Sequence, residues 1–407
     1  MGHDREPELV PIEQPELREW PPLHIEKRPP QCCSHCVRRR KRRKRDRILI
    51  AVLIILLLYL LGNVIALNVR SFPTGSTTVQ STSSGSAAGL LADQQLCVSE
   101  FNINAAANAS TYPCSTCFPV LQSIPSSISS SSSETAQQIS NALQFCALNS
   151  VFNEMDQAGQ SALTTGGWVQ NVQFCSWSGV QCDGSGRVSS LKLSFPSVPA
   201  VIPGQIDGLT MLQTLQLVGN NAVPAGSLPS SFSNLTELSS FELESTAITA
   251  FPNALFSSLK NITSLTLVKN AHMGNALPSS LTSTSLQSLV VTNQALSNPL
   301  ALLANSTSLR SSLTLLDLSA TNLTGTIPSS ISSFSSLVEL HLEDNDLADP
   351  LPSAFPPKLQ ILTLANNTQL SGTVTGLFCS LSELQDCDMT GTQLRAAGSC
   401  SVCQFSA

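Results

Sequence analysis

Charge is scarce in this 407-residue chain, where Asp, Glu, Lys and Arg together make up 12%. Residues 1–47 carry thirteen Lys and Arg against eight Asp and Glu, and residues 48–407 carry eight against nineteen, so an end of net +5 precedes a remainder of net -11. Histidine is rarer still. Beyond residue 47 only His272 and His341 occur, neither beside an obvious nucleophile and base, which favours satisfied surface histidines over catalysis. A phosphate loop, a kinase motif set and a nucleophile elbow are all missing. The sequence therefore offers no basis for an enzyme, and no cofactor or metal centre is expected. Cysteine is absent between Cys182 and Cys379, although it stands on both sides of that gap. There is a single long uncharged apolar run, from Ile48 to Leu67.

What the chain does have is a period. Leucine-patterned units open at Val188, Leu212, Leu238, Ile262, Leu286, Leu313, Leu337, Leu359 and Leu381, at spacings of 22 to 27 residues. Their pattern is LxxLxL, as in Leu212/Leu215/Leu217 and Leu337/Leu340/Leu342, and alternation puts the second and third apolar residues on one face of a short strand. A repeat of this length and pattern predicts an α/β repeat fold, a leucine-rich-repeat solenoid with a parallel concave sheet. Three residues after the last leucine stand Asn220, Thr246, Asn270, Gln294, Thr321, Asn345 and Asn367. These are expected to form a buried ladder, because a chain that turns sharply inside a stack must pair its backbone donors and acceptors.

The second halves of several units read NLTGTIPSSI (Asn322 to Ile331), SLPSSF (Ser227 to Phe232) and ALPSSL (Ala276 to Leu281). Here the sequence resembles plant-type leucine-rich-repeat ectodomains, those of receptor-like proteins, receptor kinases and polygalacturonase-inhibiting proteins. Cys175-Ser-Trp-Ser-Gly-Val-Gln-Cys182 looks like that family's CxWxGVxC cap, which implies a Cys175–Cys182 disulfide and a Trp177 that covers the first repeat. A solenoid needs such caps because its end units otherwise expose their leucines. The chain departs from the family in orientation, since its apolar segment lies before the repeats.

Ile48 to Leu67 is twenty residues without charge, enough for about 30 Å of bilayer as a helix. Nine of the ten residues from Arg38 to Arg47 are basic, with only Arg70 near the far end, and such an imbalance keeps the N-terminal side in the cytosol. The expectation is a single N-terminal transmembrane helix in type II orientation, with the repeats outside the plasma membrane or in the Golgi or ER lumen. Cleavage as a signal peptide near Val64-Ile65-Ala66 is the competing reading, though a 47-residue leader is too long for one. The basic run reads as a topology signal and lipid-facing patch in preference to a nucleic-acid site. Cys32, Cys33 and Cys36 suit S-acylation better than zinc.

The resulting division is a Pro-rich tail (1–47), the span (48–67), a Ser/Thr-rich stalk with cysteines (68–133), an N-terminal cap (134–187), about nine repeats (188–393) and a C-terminal cysteine cap (394–407). Disulfides are expected at both ends of the array. The pairings of Cys379, Cys387, Cys400 and Cys403 stay open, as do those of Cys97, Cys114, Cys117 and Cys146. Sequons stand at Asn108, Asn234, Asn261, Asn305, Asn322 and Asn366, none of them in the tail.

Between the leucines, outward positions on the concave face include Glu242, Glu244, Asp317, Glu339, His341 and Glu343, an acidic tendency to which a basic ligand is one reading and a solvated surface the other. The chain thus reads as a membrane-anchored, non-catalytic recognition protein that binds a protein or glycan ligand outside the cell. Its tail offers a dock for a cytosolic adaptor or kinase. Receptor and adhesion roles both fit; the alternatives are an inhibitor of a secreted hydrolase and a lumenal type II protein with an unrecognised enzymatic role.

Overall fold

The computed structural model describes residues 90–129, 133–374, 378–379, 381–398 and 400–406. The expected tail, the expected span at 48–67 and the first part of the expected stalk lie outside the described residues. Among the described residues no helix is long and apolar enough to cross a membrane.

The leucine period becomes a strand period. One sheet holds eleven strands in chain order: β1 (Val180–Cys182), β2 (Val188–Ser194), β3 (Thr214–Val218), β4 (Ser240–Glu244), β5 (Ser264–Val268), β6 (Ser288–Thr292), β7 (Leu315–Asp317), β8 (Glu339–His341), β9 (Ile361–Thr363), β10 (Asp386–Met389) and β11 (Cys403–Phe405). β1 pairs antiparallel with β2, and each later pairing is parallel. Register runs leucine to leucine, with Leu215 opposite Phe241 and Leu340 opposite Leu362. Slipping any strand by one residue would turn its buried leucines into solvent, so the apolar pattern strongly favours this register. Opposite the sheet, short 3-10 and α-helical turns close the first six coils, and Ile206, Phe232, Phe256, Leu281 and Ile331 from them fill the same core.

Where the chain leaves β4 to β9 it passes through a left-handed residue, at Ser245, Lys269, Asn293, Ala320, Asp344 and Asn366. The next residue is the ladder position. Asn345 donates from Nδ2 to the carbonyls of Leu318 (2.9 Å) and Leu342 (3.0 Å), and its Oδ1 accepts from the N–H groups of Thr321 (3.0 Å) and Leu323 (2.9 Å). Asn270 and Asn367 do the same in their coils, each bonding a carbonyl of the coil before. Thr246, Gln294 and Thr321 are also buried. Asn220 departs from the expectation. It is exposed and accepts from its own loop, at Ala222 and Val223, because this 26-residue unit has the extra length to turn outside the stack.

The ninth unit opens at Leu384, three residues later than the leucine spacing predicts. Leu384, Cys387 and Met389 fill the three core positions, with Cys387 opposite Leu362. Cysteine and methionine pack as well as leucine here, so a pattern read for leucine alone settles on Leu381. The C-terminal segment also continues the array instead of standing apart. Gln393–Ala396 pairs with Ser371–Val374 in a small lateral sheet, and Cys403–Phe405 adds β11.

The N-terminal cap begins well before residue 134. α1 (Ala92–Glu100) and α2 (Cys114–Gln122) pack on α3 (Glu134–Asn153), so the later part of the expected stalk is folded. Cys97–Cys117 and Cys114–Cys146 tie these helices together, and Phe101, Tyr112 and Phe145 form an aromatic cluster between them. Ser133 caps α3 by accepting from the Ala136 N–H. Buried Gln144 on α3 accepts the Val188 N–H at 2.6 Å, which attaches the cap to the first leucine strand. Trp177 is buried against Trp168 and Phe145, and Gly179 follows at a φ of 81°, where a Cβ would run into the Lys192 carbonyl.

Truncating a ladder amide removes one acceptor and two donors from a buried site. Asn345→Ala is expected to cost about 2–4 kcal/mol, since several buried backbone groups lose their partner at once, whereas Asn220→Ala should cost less than about 1 kcal/mol. Urea unfolding of the two variants checks the contrast.

Candidate functional site

The sheet's pleat sends Leu, Phe and Val inward and sets the residues between them in columns on the concave face. Parallel register brings Asp317, His341, Thr363 and Asp388 into one row across β7 to β10. Glu339 and Glu343 flank His341 on the same coil. The row is half-buried throughout, so its groups are accessible but partly desolvated.

The expected acidic residues do not form one site. Glu242 and Glu244 sit on β4, three strands from Asp317 and four from Glu339, His341 and Glu343. At about 4.8 Å per strand those steps amount to roughly 14–19 Å. Uncharged Thr266, Val268, Val290 and Thr292 lie between. The carboxylates of Glu242 and Glu244 make no hydrogen bond or ion pair among the described residues, and each residue is half-exposed.

The second group is connected. Thr363 donates its hydroxyl proton to Glu343 Oε2 in a short bond, and its oxygen lies 3.1 Å from His341 Nδ1. With that proton committed, His341 Nδ1 must be the donor to Thr363. His341 Nε2 then faces Glu339 Oε2 at 3.5 Å, a contact that becomes an ion pair only when the ring is protonated. A hydroxyl, an imidazole and a carboxylate in line have the connectivity of a nucleophile relay. Here the hydroxyl gives its proton to a carboxylate and the ring donates to the hydroxyl, so the ring cannot serve as its base. What the arrangement can do is present fixed acceptors to a donor-rich partner. Asp317 is held by its own turn, its Oδ1 accepting from the Ser319 N–H (2.9 Å) and Oγ (2.7 Å).

Asp388 belongs to this row and sequence reasoning missed it. Placing the ninth unit at Leu381 puts Asp388 out of register; the signal that corrects it is Cys387 and Met389 spaced as the leucines of other units are. Thr363 lies between Leu362 and Leu364 and so faces outward by the repeat pattern, but its link to His341 and Glu343 depends on cross-strand register that no single repeat shows.

The remaining expected residues lie elsewhere. Cys175 is bonded to Cys182, Cys379 to Cys400 and Cys387 to Cys403; Cys114 does not bond to Cys117, nor Cys400 to Cys403. All six sequon asparagines are exposed. Asn234 and Asn261 precede a strand, Asn322 and Asn366 follow one, Asn305 lies between two convex helical turns and Asn108 lies in the cap. None stands in a concave column.

Residues 312–334 match the family model described as Leucine Rich Repeat. Among solved structures, the chain is similar to the LRR ectodomain of the plant membrane receptor kinase GASSHO1/SCHENGEN3 from Arabidopsis thaliana, at 23% identity over 62% of this chain and 33% of that chain, with a TM-score of 0.46. It is similar to the ectodomain of the Arabidopsis receptor kinase HAESA, at 22% identity over 63% of this chain and 50% of that one, TM-score 0.42. It is also similar to a plant ice-binding protein, at 22% identity over 63% and 87% of the two chains, TM-score 0.46. The chain spans a third of the first of these ectodomains and half of the second. Each is a likeness in fold at low identity; the leucine repeats themselves are seen in the chain's own sheet of stacked parallel strands and in the match over residues 312–334.

The hydrogen-bond order fixes a tautomer. In the neutral protein, nitrogen-15 NMR of the His341 ring should show the proton on Nδ1. Thr363→Val should release the ring to the mixed tautomers of a free imidazole.

Proposed function

We propose that this chain is a membrane-anchored cell-surface recognition protein, non-catalytic, that takes a protein or glycan ligand on its concave sheet. Residues 48–67 serve as a type II anchor, with 1–47 in the cytosol. The plasma membrane is the proposed location, the Golgi or ER lumen being the other compartment with this topology. The tail is left to engage a cytosolic adaptor or kinase.

The observation that carries the reading is the concave face itself, a row of columns in strict register with no sequon among them. Sugars attached at the six sequons would line the edges, the convex side and the cap while leaving this face open. The row Asp317, Glu339, Glu343 and Asp388 gives it a preference for basic groups, reinforced by a folded part that is net negative. Charge of this kind contributes chiefly to specificity and association rate.

Two measurements test the proposal. Protease applied to intact, unpermeabilised cells is expected to remove the repeats and leave an epitope on the tail intact; digestion in the reverse order overturns the topology. Val290→Asn completes a sequon with Val291 and Thr292 in the middle of the concave sheet. The glycosylated variant should fold, reach the surface and lose ligand captured from its surroundings by the wild-type protein. Full retention of that ligand would place binding elsewhere.

A further inference from the structure

Asp207, in the 3-10 turn Gly204–Gly208, is a carboxylate 7% exposed, with no cation within ion-pair distance among the described residues. Its Oδ1 has no hydrogen-bond partner. Its Oδ2 accepts from two amides that reach it from different elements: Gln122 Nε2 at the end of α2 (2.9 Å) and Asn234 Nδ2 at the end of the turn Ser230–Asn234 (3.1 Å). A buried anion without a counter-ion depends on such donors, and losing one costs far more than the bond's net worth. Asp207 thereby ties the cap helix α2 to the second coil. One of its two ties is the amide of a sequon, Asn234-Leu235-Thr236.

We infer that Asn234 is glycosylated and that this glycan is a structural part of the seam between cap and repeats, held there by Asp207. The inference rests on the lumenal or extracellular placement of the repeats proposed above. Transfer from a lipid-linked oligosaccharide diphosphate joins the sugar C1 to Asn234 Nδ2, removes one of that nitrogen's two protons and releases the lipid diphosphate. The remaining N–H still serves Asp207. An amide with two protons can rotate and offer either; an amide with one must keep it on the carboxylate or leave the buried anion short of a donor. The linkage therefore holds Asn234 in one orientation and fixes where the first sugar starts. Because both amides bond to one oxygen, Asn234 Nδ2 and Gln122 Nε2 are no further apart than the sum of those two bonds. The first sugar thus begins within reach of α2, where its hydroxyl and acetamido groups add donors and acceptors across the seam.

Thr236 is exposed and its side chain makes no hydrogen bond among the described residues, so Thr236→Ala removes the sequon while keeping the Asn234 amide. The full chain, made in a glycosylating eukaryotic cell, is expected to carry sugar at Asn234 by peptide mass mapping. Thr236→Ala should lower Tm by about 2–4 °C and speed amide exchange in α2 several-fold. Thr236→Ser, which preserves the sequon, should restore both. Thr263→Ala, which removes the neighbouring Asn261 sequon, should leave exchange in α2 unchanged. Trimming the wild-type glycan to its first sugar should keep wild-type behaviour. An Asn234 bare while other sequons are occupied overturns this inference alone, as does an occupied Asn234 whose loss leaves Tm and α2 exchange unchanged. Sugar at none of the six sites overturns the topology as well.

Discussion

From the third coil onward, each coil of this protein leaves backbone groups unpaired where it turns off its strand, and a side chain buried in the stack supplies missing partners. Asn345 shows the constraint in full. It bonds the Leu318 carbonyl of the coil before, the Leu342 carbonyl of its own coil, and the N–H groups of Thr321 and Leu323. A coil cannot shift along the stack without breaking several of these bonds at once, so the ladder holds the sheet in register. The concave columns inherit their order from it. Asp317, His341, Thr363 and Asp388 meet in one row because their coils are pinned a few ångströms away.

A stack held this way has two ends, and both are closed by covalent and aromatic means. At the start, Cys97–Cys117, Cys114–Cys146 and Cys175–Cys182 hold helices and a hairpin over Val188 and its neighbours, with Trp168 and Trp177 filling the end of the core. At the finish, Cys387 occupies a leucine position and bonds directly to Cys403 on the last strand. There a single residue both fills the core and ties the final strand down. Asp207 adds a polar tie on the outer side of the first seam, where the core cannot reach.

Most of this was legible from the leucines. Spacing and LxxLxL place the core positions of the first eight units, and Trp177 and Gly179 stand where CxWxGVxC has them. Three things were not legible, each for a physical reason. The ninth unit uses Cys387 and Met389 in place of leucine, so its register shifted by three residues and hid Asp388. The cap's first helices carry a weak apolar pattern and owe their order to disulfides, so residues 92–122 read as stalk. The acidic residues of the concave face were visible as a composition, but their separation into a pair on β4 and a second group across β7 to β10 follows from strand order.

The central claim is that the concave face, and not the convex side or the edges, meets the ligand. Zero-length coupling of carboxylates to amines, applied to the ligand-bound protein on intact cells and read by mass spectrometry, addresses it directly. The account predicts cross-links from Glu339, Glu343 or Asp388. Cross-links confined to Glu154 and Glu383, both outside the concave columns, would contradict it.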